Sequence, residues 1–134
     1  MLKGRKGLTL VEVVLTVLVF ASGLISLLAV YIQSREAGRR TDAVYTAYNL
    51  AKNHIEQLRS LDYTLLPDAA EMTAVRLDED GTPDVNGVFL RTTSVDPAYG
   101  GNPDLTRASV SVSYLFKGAE NPVPIEMTTV IHDT

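Results

Sequence analysis

The hydrophobic pattern divides the chain into an apolar N-terminal run, an amphipathic stretch and a C-terminal part with alternating residues. From Leu8 to Ile32 the sequence carries a single charge, Glu12, in 25 residues. A helix of this length, rising about 1.5 Å per residue, reaches about 37 Å, and a bilayer hydrocarbon core is about 30 Å thick. We therefore predict a membrane-spanning helix over residues 8–32.

The helical period continues beyond the apolar run. Apolar residues recur at spacings of three and four, and no proline occurs between Met1 and Leu66; the stripe consists of Val44, Ala47, Tyr48, Ala51, Ile55 and Leu58. Such a stripe is typical of an amphipathic helix that packs one face on a core. We predict one helix from about Leu8 to Ser60, with 33–61 as its amphipathic part. Tyr45, Tyr48 and His54 are predicted to pack on the following domain.

Beyond Tyr63 the period changes from helical to two residues. It is clearest over Arg107–Phe116, where Val110 and Val112 alternate with serines. Alternation places apolar side chains on one face of a strand and polar ones on the other. Three further strands are predicted over Met72–Leu77, Val88–Val95 and Val123–Ile131. The fold class is predicted as α+β: a long N-terminal helix packed on an antiparallel sheet of three or four strands, with 62–134 as the β-domain.

The charges are distributed unevenly. The first seven residues contain Lys3, Arg5 and Lys6 and no acid. By the positive-inside rule, we predict that the N-terminus stays in the cytoplasm and that the C-terminal domain lies on the periplasmic side of the inner membrane. From Asp62 onward twelve acidic residues face four basic ones. An acidic domain repels nucleic acid, so we expect no nucleic-acid partner.

The segment Lys6-Gly7-Leu8-Thr9-Leu10-Val11-Glu12-Val13 resembles the prepilin signature of type IV pilin-like proteins. In that family a basic leader ends in glycine before Phe/Leu-Thr-Leu-x-Glu. The resemblance implies the type IV pilin fold and a leader, 1–7, that a prepilin peptidase removes between Gly7 and Leu8. The same enzyme would N-methylate Leu8, and Thr9 and Glu12 would serve filament assembly. The implied partners are other pilin or pseudopilin subunits, the peptidase/N-methyltransferase, an inner-membrane assembly platform and membrane lipid.

A secretory signal peptide and a plain membrane anchor are the alternatives for this segment. The apolar run is longer than the 7–15 residues of a signal-peptide core. A plain anchor leaves Glu12 unexplained, because a charge costs about 2.5–3.5 kcal/mol at a helix centre and somewhat less near an end. In a filament, Glu12 could pair with the N-terminal amine of a neighbouring subunit and so fix the register.

Two features indicate an accessory subunit. Many major pilins have a proline midway along the apolar run, and this chain has none there. The stretch from Asn49 to Tyr63 resembles the helix end in minor pilins of the pilus-modification type and in related pseudopilins. The resemblance thus implies a minor pilin that helps initiate or assemble a type IV pilus. A minor pseudopilin of a type II secretion system, a major pilin and a monomeric anchored binding domain are the alternatives.

One loop offers metal ligands. Asp78, Asp80, Asp84 and Asn86 supply oxygen atoms of the kind that calcium prefers, although their spacing departs from the EF-hand pattern. A plain acidic hairpin loop with Asn86-Gly87 as turn former explains the same residues. The chain has no cysteine and none of the common catalytic motifs, so we predict no enzyme activity and, calcium apart, no cofactor.

Overall fold

The computed structural model describes residues 7–121 and 123–133, so all of the predicted leader except Gly7 lies outside the described residues. These described residues form one long helix, three short 3-10 turns and five strands. Helix α1 spans Leu10–Ser60, and the turns span Tyr63–Leu65, Pro67–Ala69 and Tyr99–Gly101. The strands are β1 (Val75–Leu77), β2 (Phe89–Asp96), β3 (Leu105–Phe116), β4 (Ala119–Glu120) and β5 (Ile125–His132). The α+β class is confirmed.

The chain separates into two compact units, one ending at Arg39 and the other beginning at Arg40. The described part of the first unit consists of Gly7–Thr9 and the N-terminal portion of α1. This portion is long and apolar enough to cross a membrane, and none of the residues in its most apolar window is buried. One candidate membrane-spanning helix near the N-terminus is thus present, as predicted.

The second unit contains an antiparallel sheet in which β3 is the central strand. β1 pairs with β2, β2 pairs with one side of β3, and both β4 and β5 pair with its other side. The prediction of three or four strands is wrong by one strand. Lys117 and Gly118 both have positive φ, 53° and 81°, which closes a tight hairpin between β3 and β4. Residues 119–120 therefore pair with the end of β3.

The core lies between the inner face of the sheet and one side of α1. Small and branched residues alternate inward along β3, where Ala108, Val110 and Val112 are fully buried, as the alternation predicts. The helix contributes Ala47, Leu50, Ala51, Ile55 and Leu58 to this cluster.

The helix face that packs on the sheet differs from the predicted stripe. Leu50 is buried, whereas Tyr45 and Tyr48 remain 67% and 46% exposed, so the prediction that both tyrosines pack on the domain is wrong. The contact is centred on Ala47 and Ala51, both with no exposed surface. Small side chains here leave the larger tyrosines on the flanks of the contact.

Candidate functional site

The predicted processing and assembly residues lie at the start of α1. Thr9 immediately precedes the helix, and its Oγ1 accepts a hydrogen bond from the Glu12 backbone N–H at 3.3 Å. The Thr9 carbonyl accepts a bond from the Val13 N–H at 3.2 Å. Thr9 is therefore the N-cap of α1, and Thr9-Leu10-Val11-Glu12 has the Ser/Thr-x-x-Glu spacing of a capping box. This capping pattern is visible in the sequence, although the family resemblance implies only an assembly role for Thr9 and Glu12.

Glu12 lies in the first turn of α1. The N-terminal end of a helix carries a partial positive charge, and a carboxylate near it is stabilised by about 0.3–1 kcal/mol. This effect reduces the cost of placing an acid at the edge of the apolar run. Glu12 thus has a local role in starting the helix in addition to any role between subunits.

Gly7 and Leu8 precede the helix and are exposed. A Cβ atom built on Gly7 would meet nothing within 4 Å, so the fold does not require glycine at this position. Leu8 is 70% exposed. The peptide bond between the two residues is therefore outside regular structure, where a peptidase can bind an extended chain.

Three hydroxyl groups within the apolar run bond to the helix itself. Thr16 Oγ1 donates to the Glu12 carbonyl at 2.7 Å, Ser22 Oγ to the Val19 carbonyl at 2.8 Å and Ser26 Oγ to the Ser22 carbonyl at 2.9 Å. Such bonds to the preceding turn satisfy the hydroxyl donors without water. These residues are therefore compatible with a lipid environment.

The predicted calcium residues, Asp78, Asp80, Asp84 and Asn86, are placed in one loop, but the carboxylates of Asp78 and Asp84 bond to the backbone. Asp78 Oδ1 accepts N–H groups from Asp80 and Thr82 at 3.0 and 2.8 Å, and Asp84 Oδ1 accepts the Asn86 N–H at 2.9 Å. Across the described residues, no group of three or more His, Cys, Asp or Glu side chains is arranged to hold a metal ion. The turn-forming bonds fit the alternative of a plain loop. Calcium binding stays a prediction, which isothermal titration on the full chain would test.

Position 87, at the end of this loop, requires glycine because its backbone lies very close to the backbone of β1. A Cβ atom at this position would lie 2.2 Å from the Leu77 carbonyl oxygen and 2.8 Å from the Leu77 nitrogen. Backbone atoms cannot move aside as a flexible side chain can. The glycine of the Asn86-Gly87 pair therefore allows the loop to pack against the strand.

A largely buried ion pair in the β-domain was not predicted from the sequence. Glu71 and Arg91 have side chains only 15% and 16% exposed, and Arg91 Nε donates to Glu71 Oε1 at 3.1 Å. Thr93 Oγ1 donates to Glu71 Oε2 at 2.8 Å, and the Glu71 N–H donates to the Thr93 carbonyl at 2.9 Å. Burial alone raises the pKa of Glu71, but the bonds from Arg91 and Thr93 and the charge of Arg91 outweigh it. The net pKa of Glu71 therefore lies below its ordinary value.

A small polar cavity of about 90 Å³ adjoins this ion pair, and its walls include His54, Asp80 and Arg91. His54 Nδ1 contacts Gln57 Oε1 at 3.3 Å, while its buried Nε2 has no hydrogen-bond partner within the described part of the chain. A polar cavity of this size is suited to an ordered water molecule. The prediction that His54 packs against the domain agrees with its half-buried position.

Comparison of the chain with family models, curated proteins and solved structures found no match. What the geometry supports directly is an α+β fold with one candidate membrane helix and a capped, exposed helix start. Assignment to a family is a proposal that depends on the residues at that helix start.

Proposed function

We propose that this chain is a minor pilin of a type IV pilus, stored in the inner membrane and assembled through its N-terminal helix. The observation that carries the proposal is the Gly7-Leu8 bond and Glu12 at the exposed start of a helix able to cross a membrane. A domain of the type IV pilin fold, with its sheet packed on the later part of the same helix, would then lie outside the inner membrane.

Cleavage after Gly7 is compatible with the local structure. The cut bond lies before Thr9, so the N-cap of α1 and its bond to the Glu12 N–H remain after the leader is removed. The new amine on Leu8 then carries a positive charge four residues before the Glu12 carboxylate. Opposite charges at this spacing can lower the cost of keeping each of them in the membrane.

Assembly would bring the Glu12 carboxylate close to the Leu8 amine of another subunit. Leaving a buried charge without a partner costs several kcal/mol, so registers that do not pair the two groups are rejected. The cap uses the backbone N–H of Glu12, so α1 keeps its start whichever group the carboxylate contacts.

Processing is tested by expressing the chain with a prepilin peptidase and measuring the intact mass from membranes. We expect a product that begins at Leu8 and carries one methyl group. Gly7→Leu should retain the leader, whereas the matched change Gly4→Leu within the leader should leave cleavage intact. A native protein that keeps its initiator methionine, or is cut elsewhere, would contradict the proposal.

Assembly is tested with Glu12→Leu and Glu12→Gln. Both variants should insert in the membrane and lose their leader, yet be depleted from sheared filaments because no carboxylate meets the neighbouring amine. Glu56→Gln is a matched control, since Glu56 also lies on α1 but has a 59% exposed side chain beyond the apolar run. Normal incorporation of both Glu12 variants would exclude the pairing mechanism.

A minor pseudopilin of a type II secretion system is the second candidate. α1 runs from Leu10 to Ser60 as one helix, in keeping with the missing proline, and this favours an accessory subunit of either machine over a major pilin. Deleting the gene separates the candidates: a pilus subunit should reduce surface pili, and a pseudopilin should leave folded exoproteins in the periplasm. A dominant band in sheared filaments would indicate a major pilin instead.

A further inference from the structure

The outer edge of β5 carries backbone groups that the sheet does not use. β5 pairs with β3 in a register that runs from Leu105 opposite His132 to Val112 opposite Ile125. Just beyond this ladder, the Asp133 N–H donates to the Asp104 carbonyl at 2.9 Å. Hydrogen-bonded and non-bonded pairs alternate in an antiparallel ladder. The residues of β5 that bond to β3 are therefore 125, 127, 129 and 131.

The other side of β3 gives the same assignment independently. The Leu115 N–H donates to the Val88 carbonyl at 2.7 Å, so odd-numbered residues of β3 bond towards β2. Even-numbered residues must then bond towards β4 and β5, and the Asn121 N–H bond to the Tyr114 carbonyl at 2.9 Å agrees. The backbone N–H and C=O groups of Glu126, Thr128, Val130 and His132 consequently point away from the sheet; we call these groups the β5 edge. Among the described residues, no backbone hydrogen bond reaches them.

The β5 edge lacks the usual protection of an edge strand. Over Ile125–His132 there is no proline, glycine, lysine or arginine, and the pairing with β3 is continuous over eight residues. Natural edge strands are commonly blunted by such residues or by bulges, because an open edge is a template for another strand. The opposite edge of the sheet is different. β1 has only three residues, and Leu77 is bridged by Pro83 while the Arg76 carbonyl accepts the Asp84 N–H.

The side chains next to the β5 edge would gain burial from an added strand. Ile125, Met127 and Ile131 pack against the core but are only partly buried, since no strand lies beyond them. Val130, on the other face, is 48% exposed. An added strand would cover Ile125, Met127 and Ile131 with its own apolar side chains. Its alternate side chains would lie next to Val130 on the other face of the sheet.

We propose that the β5 edge binds an extended segment of another protein as a sixth strand of the sheet. The segment is up to eight residues long, the length of β5. Its apolar residues face the core side of the sheet and alternate with basic or hydroxyl residues that face the outer side. The basic residues follow from charge, because Glu126 lies on the outer face, Asp133 follows the strand and the domain is acidic. Strand addition of this kind obtains affinity from main-chain bonds and specificity from alternate side chains.

A second copy of this chain does not suit the same edge. Over Ile125–His132 the chain contains no lysine or arginine, so β5 of another copy would bring a second Glu126 and neither of these cations to the outer face. Like charges on neighbouring strands are destabilising.

The test measures binding of a fluorescent eight-residue peptide, valine or isoleucine alternating with lysine or threonine, to the full chain in detergent micelles. The Val130 N–H points outward, so Val130→Pro removes a donor of the β5 edge without removing a bond to β3. Val130→Thr keeps the donor and the branched side chain. We expect saturable binding that is weakened about tenfold or more by Val130→Pro and changed less than about twofold by Val130→Thr.

Two further measurements keep the test decisive if Val130→Pro unfolds the chain. The same peptide with its four central residues N-methylated loses the central N–H donors on both of its edges, so it should bind at least about tenfold more weakly. On binding of the unmodified peptide, the amides of Glu126, Thr128, Val130 and His132 should become protected from hydrogen exchange. No binding by wild type, equal affinity of the methylated peptide, or a self-associated dimer lost in Val130→Pro would each overturn the proposal. Purified chain requires no cleavage at Gly7 for this assay, so either proposal can fail by itself.

Discussion

Replacing Glu71 with glutamine removes the negative charge of the largely buried ion pair and leaves the size of the side chain nearly unchanged. Arg91 then keeps its positive charge in a site where 84% of its side-chain surface is removed from water, since 16% remains exposed. Thr93 can still donate to the amide oxygen, so the change acts mainly on Arg91. We therefore expect the free energy of unfolding to fall.

The size of the effect follows from the burial of both partners. Breaking a fully buried pair by removing one partner costs about 3–5 kcal/mol. Here about one-sixth of each side chain remains accessible, so water can partly hydrate Arg91, and we expect about 2–3 kcal/mol for Glu71→Gln. The double variant Glu71→Leu/Arg91→Met leaves no buried charge. It should lie within about 1 kcal/mol of the wild type, because an apolar pair avoids the desolvation cost.

The assay is urea unfolding of the full chain in detergent micelles at pH 7. It compares wild type with Glu71→Gln, and it places Glu71→Leu, Arg91→Met and their double variant in one double-mutant cycle. The pKa of Glu71 is lower in the folded state than in the unfolded state, so its contribution to stability is complete above the ordinary glutamate pKa. It is lost as the pH falls through the folded-state pKa. The difference between wild type and Glu71→Gln should thus shrink as the pH falls below the ordinary glutamate pKa of about 4.3. A coupling energy below about 0.5 kcal/mol, or a difference independent of pH, would refute the reasoning.

Three other predictions concern packing, backbone space and the helix cap. Leu58→Ala should cost about 2–5 kcal/mol in urea unfolding, because Leu58 is buried between α1 and the sheet, and Leu65→Ala, at an exposed site, should cost much less. Gly87→Ala should destabilise the fold through its clash with β1, whereas Gly38→Ala, with open space on α1, should stabilise it by up to about 1 kcal/mol; equal effects would contradict the assigned close approach. Thr9→Ala should cost about 0.5–2 kcal/mol at the start of α1, seen as faster exchange of the nearby amides, and Thr9→Ser should restore protection.

The elements whose signal is local could be predicted from the sequence. The spacing of three and four residues and the lack of proline predict a helix from about Leu8 to Ser60. The observed α1 begins two residues later, at Leu10, and ends at Ser60. The alternation of Val110 and Val112 with serines identified the central strand and its buried face. Short elements were less certain, because β1 is three residues shorter than the predicted Met72–Leu77 and β4 has only two residues.

Features that depend on contacts between distant residues could not be predicted in this way. Glu71 and Arg91 are 20 residues apart, and nothing in the spacing of either residue indicates that the segment before β1 bonds to β2. The helix face was also misjudged, since Tyr48 and Leu50 both fit a helical stripe and only packing on the sheet distinguishes them. At the candidate site, the local capping signal is available in Thr9 and Glu12, whereas the proposed role of Glu12 between subunits depends on a neighbouring chain.

The hydroxyl groups of Thr16, Ser22 and Ser26, turned back onto the carbonyls of their own helix, affect how the protein would behave before assembly. A second helix in the bilayer therefore finds few free hydroxyl donors to bond with. Apolar side chains gain little free energy when they exchange lipid contacts for contacts with one another. Encounters between unassembled copies should therefore be brief. Copies that await the proposed assembly should then stay dispersed in the bilayer.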